Sequence, residues 1–162
     1  EIGSGLVGSE MCIRDSARTA GVEIGGIAHP FTKDNIEEGY KSLRLLEPQK
    51  MKDRLNEVSM PNWYHCIDES LRQAGMTRKD IGYLDVLHMK RSGHKGMLAD
   101  LGLSEDQSIY LEDYGHVGQI DQILSLELAL KAGKVKDGTV VCMIAAGIGY
   151  VWSANIIKWG NK

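Results

Sequence analysis

The chain has 162 residues, 43% of them hydrophobic and 25% charged, a balance that suits one soluble globular domain large enough to bury a core. Its net charge of -3 supplies no basic field for nucleic acid, and its three cysteines, Cys12, Cys66 and Cys142, include no CxxC pair. Neither a phosphate-reading surface, nor a disulfide framework, nor a zinc knuckle is therefore indicated, and a reducing cytoplasm is the default compartment.

The opening stretch EIGSGLVGSEMCIRDS lacks the basic start, unbroken apolar run and cleavage site of a secretory signal. Its string VGSEMCIRDS resembles translated sequencing-adapter read-through of the kind found in environmental gene fragments. Residues 1 to about 16, Cys12 among them, are thus expected not to be native, and the true chain to begin further upstream. From Ala17 the order improves. GVEIGGIAHPF, with its paired glycines and Pro30, suits a strand or irregular edge leading to a loop, and the charged, weakly periodic residues 32–52 suit an exposed helix or loop excursion. SMPNWYHCIDESLRQAG predicts a helix: Ser59 caps it, Pro61 fits its first turn, Tyr64, Ile67, Leu71 and Ala74 share one face, and Gly75 ends it. His65 and Cys66 within it read as surface or packing positions.

DIGYLDVLHMK predicts a strand with Leu84, Val86 and His88 on one face. After RSG a helix runs through Met97, Leu98 and Leu101 to a Gly102 stop. SIYLEDYGH predicts the next strand, with His116 just beyond its end. The helix from about Val117 to Lys131 carries Ile120, Ile123, Leu124, Leu126, Leu128 and Leu130 around most of its circumference and is expected to be buried. AGKVKDG then makes a cap and turn, Thr139 to Ala146 a buried strand, and Tyr150 to Trp159 its return. Val140 to Ile157 is nearly long enough to span a bilayer, but Gly147, Gly149, Ser153 and Asn155 interrupt it, and two strands joined by a turn are the better reading. No repeat or low-complexity tract is present. The order helix, strand, helix, strand, helix, strand, strand is an α/β layer with a terminal β-hairpin.

Three places stand out as chemistry. His88 and His116 both follow strand ends, where layered α/β folds bind ligands, and the loop AAGIGY lets backbone approach a ligand closely. Each is weak alone, since a single histidine at a strand end is more often structural and a Gly-x-Gly between strands is usually a turn. Zinc held by His88, His94 and His116 lacks a carboxylate placed as fourth ligand. Cys142 lies in a buried strand, where a cysteine behaves as a small hydrophobe and not as a nucleophile.

Taken together and in order, DIGYLDVLHMK, YLEDYGHVGQID and DGTVVCMIAAGIGYVWSANIIKW resemble the C-terminal half of the beta-ketoacyl-acyl-carrier-protein synthase III enzymes, over roughly Ala17 to Lys162. The resemblance implies an α/β fold, a layered thiolase-like half with a mixed sheet, packed helices and a terminal hairpin. It implies an acyltransferase that joins an acyl thioester to a malonyl thioester by Claisen condensation, with acyl-CoA and acyl carrier protein as substrates and partners, no bound cofactor or metal, no nucleic acid, no membrane, a cytoplasmic setting and a homodimer when full length. His88 and His116 become the catalytic residues, donating to the enolate oxygen. The positive end of the helix after His116 is expected to hold it as a neutral donor. Gly147, Gly149, Lys90 and Arg91 become substrate-binding residues, the glycines at the thioester and the cations at the phosphopantetheine or acidic face of the carrier. The chain departs from the family in carrying HMKR where HQAN is usual, and His116 where asparagine usually follows Tyr-Gly; two histidines are the arrangement of the elongating ketosynthases. The family's nucleophilic cysteine belongs to the N-terminal half, so this chain alone is expected to be inactive and, with an apolar face uncovered, to associate. The alternative is a non-catalytic acyl- or carrier-binding partner subunit of a condensing enzyme.

Overall fold

The computed structural model describes residues 5–12, 20–41, 43–147 and 150–160. Its centre is a four-stranded mixed sheet. Strands β4 (Tyr83–Val86) and β5 (Val140–Gly147) run parallel, β5 pairs antiparallel with β6 (Val151–Lys158), and β1 (Gly5–Cys12) adds antiparallel to the outer edge of β6. A separate two-stranded ribbon joins β2 (Ala20–Val22) to β3 (Leu43–Leu45), with the single turn of α1 (Ile36–Gly39) between them.

Side-chain alternation along β4 to β6 divides the core in two. On one face Leu84, Val86, Cys142, Ile144, Trp152, Ala154 and Ile156 are all buried, and they pack under α2 (Pro48–Gln73) and α3 (Arg91–Leu101). The helix α2 forms because Trp63, Cys66, Ile67, Ser70 and Leu71 recur at helical spacing and bury one stripe. Where it meets β6 it also bonds to it: the Ser70 hydroxyl donates to the Ala154 carbonyl at 3.0 Å, and the Cys66 thiol to that of Trp152 at 3.5 Å. Trp63 Nε1–H donates to the Ala145 carbonyl on β5. Gly8 of β1 crosses α2 so closely that a Cβ there would fall 1.9 Å from the Ser70 carbonyl oxygen. On the opposite face Tyr83 and Val141 are buried against Ala129 of α4 (Asp121–Lys131) and against Val135.

Three expectations change. The helix predicted from Ser59 begins at Pro48, and Pro61 lies inside it rather than in its first turn. Its first turns carry exposed pairs, Glu47 with Lys50 and Arg54 with Glu57, each three residues apart. They show little periodicity because only Leu55 and Val58 there pack on the core. Residues 108–111 do not form a strand; they pass beside β4, and side chains stand in for the ladder, the Ser108 hydroxyl donating to the Leu84 carbonyl at 2.8 Å and Gln107 Nε2 reaching Ile81 and Gly82. The third change is in α4, which is not buried all round. Its buried residues are Asp121, Gln122, Ser125 and Ala129, while Ile120 and Ile123 are each 58% exposed. Small and polar residues face the sheet because Tyr83 leaves little room there, and the isoleucines are turned outward. The apolar stretch at the end is a strand hairpin, as expected, and no helix among the described residues is long and apolar enough to cross a membrane.

Candidate active site

Strand β4 stops at Val86, which puts His88 two residues past its end. The other approach comes from Leu111, which leads through a turn at 112–114 to Gly115 and His116; a 3₁₀ turn at Gly118–Ile120 then runs into α4. Asp121, the first residue of α4, joins the two segments. Its side chain is wholly buried. Oδ2 accepts the backbone N–H of His88 at 2.7 Å and meets Nδ1 of the His116 ring at 2.5 Å, and Oδ1 accepts the backbone N–H of Val117 at 2.7 Å. Burial on its own would raise the Asp121 carboxyl, but the Val117 N–H, the His116 ring and the His88 N–H together hold it below the usual carboxylate range. One residue further on, Gln122 Nε2 donates to the Ile144 carbonyl at 2.9 Å and fixes the start of α4 to β5.

His116 lines a groove of about 330 Å³ that runs beside α4 over the open part of the sheet, between Gln122 and Ile123 on one side and Met143, Gly147 and Asn155 on the other. Gly147 is exposed at the end of β5, while Gly149 lies outside the described residues. His88 does not line this groove. Its ring lies 4.9 Å from that of Tyr110, and its buried Nδ1 has no hydrogen-bond partner. Tyr110 gathers further groups around it: its hydroxyl donates to the Met89 carbonyl, the His94 ring meets it edge-on at 5.4 Å, and the Arg91 guanidinium lies 4.2 Å above its ring. Burial first, then the nearby His88 and Arg91, push the His94 imidazole below its ordinary value, with Glu105 opposing them. Arg91 is also ion-paired with Glu112, so its charge is engaged within the chain, whereas Lys90 is exposed at the head of α3. Among the described residues no three His, Cys, Asp or Glu side chains come together so as to hold a metal ion.

The remaining buried polar groups sit under α4. Asp85 is fully buried and neither carboxyl oxygen has a hydrogen bond; burial raises its pKa to about 8, which the neighbouring Ser125 hydroxyl only partly offsets. That hydroxyl is bonded to the Tyr83 hydroxyl at 2.8 Å. The Cys142 thiol is pushed up to about 12, by burial foremost and by Asp85, which keeps it protonated and inert as a nucleophile.

Sequence reasoning singled out both histidines but missed Asp121. Its one signal is position, an acid at the first turn of a helix, which reads equally well as a solvated cap.

Residues 71–159, more than half of the chain, match the family described as 3-oxoacyl-[acyl-carrier-protein (ACP)] synthase III C terminal. The chain belongs to this synthase III family. Among its relatives, the beta-ketoacyl-[acyl-carrier-protein] synthase III of Microcystis aeruginosa is 31% identical over 129 residues, which are 78% of this chain and 37% of that protein. That of Oceanobacillus iheyensis is 29% identical over 92 residues, 56% of this chain and 30% of that protein. The chain thus spans about a third of the length of these curated synthase III relatives. The crystal structure of the 3-oxoacyl-[acyl-carrier-protein] synthase III of Aquifex aeolicus superposes with a TM-score of 0.75 at 17% identity, covering 98% of this chain and 46% of that one. The fold is therefore the layered thiolase-like one of the synthase III enzymes, and this chain corresponds to their C-terminal part.

Proposed function

We propose that the chain is the C-terminal part of a condensing enzyme that joins an acyl thioester, carried on a cysteine supplied by the N-terminal part, to a malonyl thioester. The malonyl carboxylate leaves as carbon dioxide, the resulting enolate carbon attacks the acyl carbonyl, and the cysteine thiolate departs. Of the two histidines expected to donate to the enolate oxygen, His116 lines the groove and is the group offered there, while His88, whose ring lies beside Tyr110, is tied to the site through its backbone N–H on Asp121. Acyl-CoA and acyl carrier protein are the substrate classes, met at the groove, at Gly147 and Gly149, and at Lys90; the full-length protein is a homodimer. The observation that carries this reading is the Asp121 carboxylate, which binds the end of β4 at His88 to the ring of His116 at the rim of an open groove.

Residues 1 to about 16 are, in this proposal, not native. Pairing of β1 with β6 through backbone groups is open to an added extended segment, while the approach of Gly8 to the Ser70 carbonyl admits only a glycine at that position.

The test is to recover the gene upstream of Ala17 from its source and assay the full-length protein for condensation of acetyl-CoA with malonyl-ACP. An upstream cysteine at the head of a helix, with condensation that falls on the order of 10²- to 10³-fold in His116→Ala, is the expected result. A native upstream sequence without a nucleophile would overturn it in favour of the partner-subunit reading.

A further inference from the structure

We infer that Asp121 is a positioning residue that holds a proton on Nδ1 of His116 in every charge state of the ring, so that His116 donates toward substrate only as an imidazolium. The inference rests on the condensing-enzyme reading for its substrate, but not for its geometry.

Asp121 is wholly buried and ionised, and an ionised carboxylate only accepts hydrogen bonds. Two of its contacts are backbone N–H groups, from His88 and Val117, which have no choice but to donate. The third contact, 2.5 Å from Oδ2, is Nδ1 of His116. A bare Nδ1 would set one lone pair against another at hydrogen-bond distance, so Nδ1 carries the proton. The neutral ring then has its lone pair on Nε2, where it accepts a proton and cannot donate to an oxyanion. Only the doubly protonated ring offers an Nε2–H. This reverses the expectation that the helix end holds His116 as a neutral donor: the helix that follows begins with the carboxylate that binds the ring.

Among the described residues no other charged side chain lines the groove beside the ring. The side chains that share it from the 3₁₀ turn, α4, β5 and β6, namely Gln119, Gln122, Met143 and Asn155, are neutral, as is Leu87 after β4. On the turn before it, Glu112 is paired with Arg91 and Asp113 is exposed. From the β4 side, His88 reaches the pair through its backbone N–H on the same carboxylate.

The experiment uses the full-length protein labelled with ¹⁵N-histidine. Two-bond ¹H–¹⁵N spectra distinguish Nδ1–H from Nε2–H, and condensation of acetyl-CoA with malonyl-ACP is followed against pH. The neutral wild-type ring is expected in the Nδ1–H form. In Asp121→Asn the amide offers an N–H to Nδ1, so the ring is expected to turn over to Nε2–H. In that form the neutral ring can donate through Nε2–H, so where the ring is neutral condensation should be faster in Asp121→Asn than in the wild type. A neutral wild-type ring in the Nε2–H form, or an Asp121→Asn protein with an unchanged tautomer, overturns the inference. If Asp121→Asn does not fold, the wild-type tautomer decides alone. An Nδ1–H ring in a full-length protein that performs no condensation upholds the role of Asp121 and removes the condensing reading instead.

Discussion

Replacing Asp85 by asparagine should stabilise the chain more the higher the pH. The carboxyl is fully buried without a hydrogen bond, and its pKa is raised from 3.8 to about 8. Below pH 3.8 both folded and unfolded chains hold the proton. As the pH rises the unfolded chain releases it, while the folded chain keeps it until about 8, so stability is full at low pH and is lost progressively up to the folded value. Each pH unit in that window removes about 1.36 kcal/mol, so about 4 kcal/mol is gone by pH 7 and about 6 kcal/mol beyond pH 8. Against a total stability on the order of 5–15 kcal/mol this is a large fraction. Asparagine has nearly the same shape and does not titrate. Urea unfolding of Asp85→Asn and of the parent chain at pH 4, 5, 6 and 7 should therefore show a gap that widens by about 4 kcal/mol, or about 2 M in midpoint for an m-value near 2 kcal/mol/M. A gap that stays constant across that range would refute the buried, uncompensated carboxyl.

The other expectations concern packing and exposure. Trp152→Ala should cost about 3–5 kcal/mol of stability in the same unfolding assay, since Trp152 is 1% exposed in the main core. Ser108→Ala should cost about 1–3 kcal/mol, because it leaves the Leu84 carbonyl without the hydroxyl that bonds it at the free edge of β4. In a chain whose Cys12 is replaced by serine, a thiol reagent should modify Cys66 and Cys142 only at the rate of unfolding, as both are buried; rapid labelling in native buffer would contradict their placement. Ile123→Asp should reduce self-association measured by sedimentation velocity without lowering stability by more than about 0.5 kcal/mol, since the side chain is exposed at the groove.

Much of the fold was legible along the chain because the determinants are local. The run from Val140 to Lys158 is apolar with glycines near its middle, and along β6 buried residues alternate with half-buried ones, a pattern that specifies paired strands. Tyr64, Ile67 and Leu71 mark the packed face of α2 in the same way, and Gly102, at φ 72, ends α3 in the left-handed region where glycine is favoured. What failed was whatever depends on a neighbour distant in sequence. Residues 108–111 have strand-like composition, but whether they join a ladder is decided by the edge of β4, where Ser108 and Gln107 use side chains instead. The α4 pattern reads as apolar all round, yet which side is buried is decided by what lies against it, and the sheet takes Ser125 and Ala129 while leaving Ile123 outside.

The site divides along the same line. His88 could be picked out because it follows the end of β4, which the chain itself specifies, whereas His116 was expected after a strand that does not form. The carboxylate that gives His116 its orientation is five residues further on and invisible to any pattern, because an acid in the first turn of a helix is ordinary in sequence. Only folding brings the backbone of His88, the ring of His116 and the N–H of Val117 onto the two oxygens of Asp121 and removes water from them. That juxtaposition, and not the identity of the histidine, decides which ring nitrogen holds the proton.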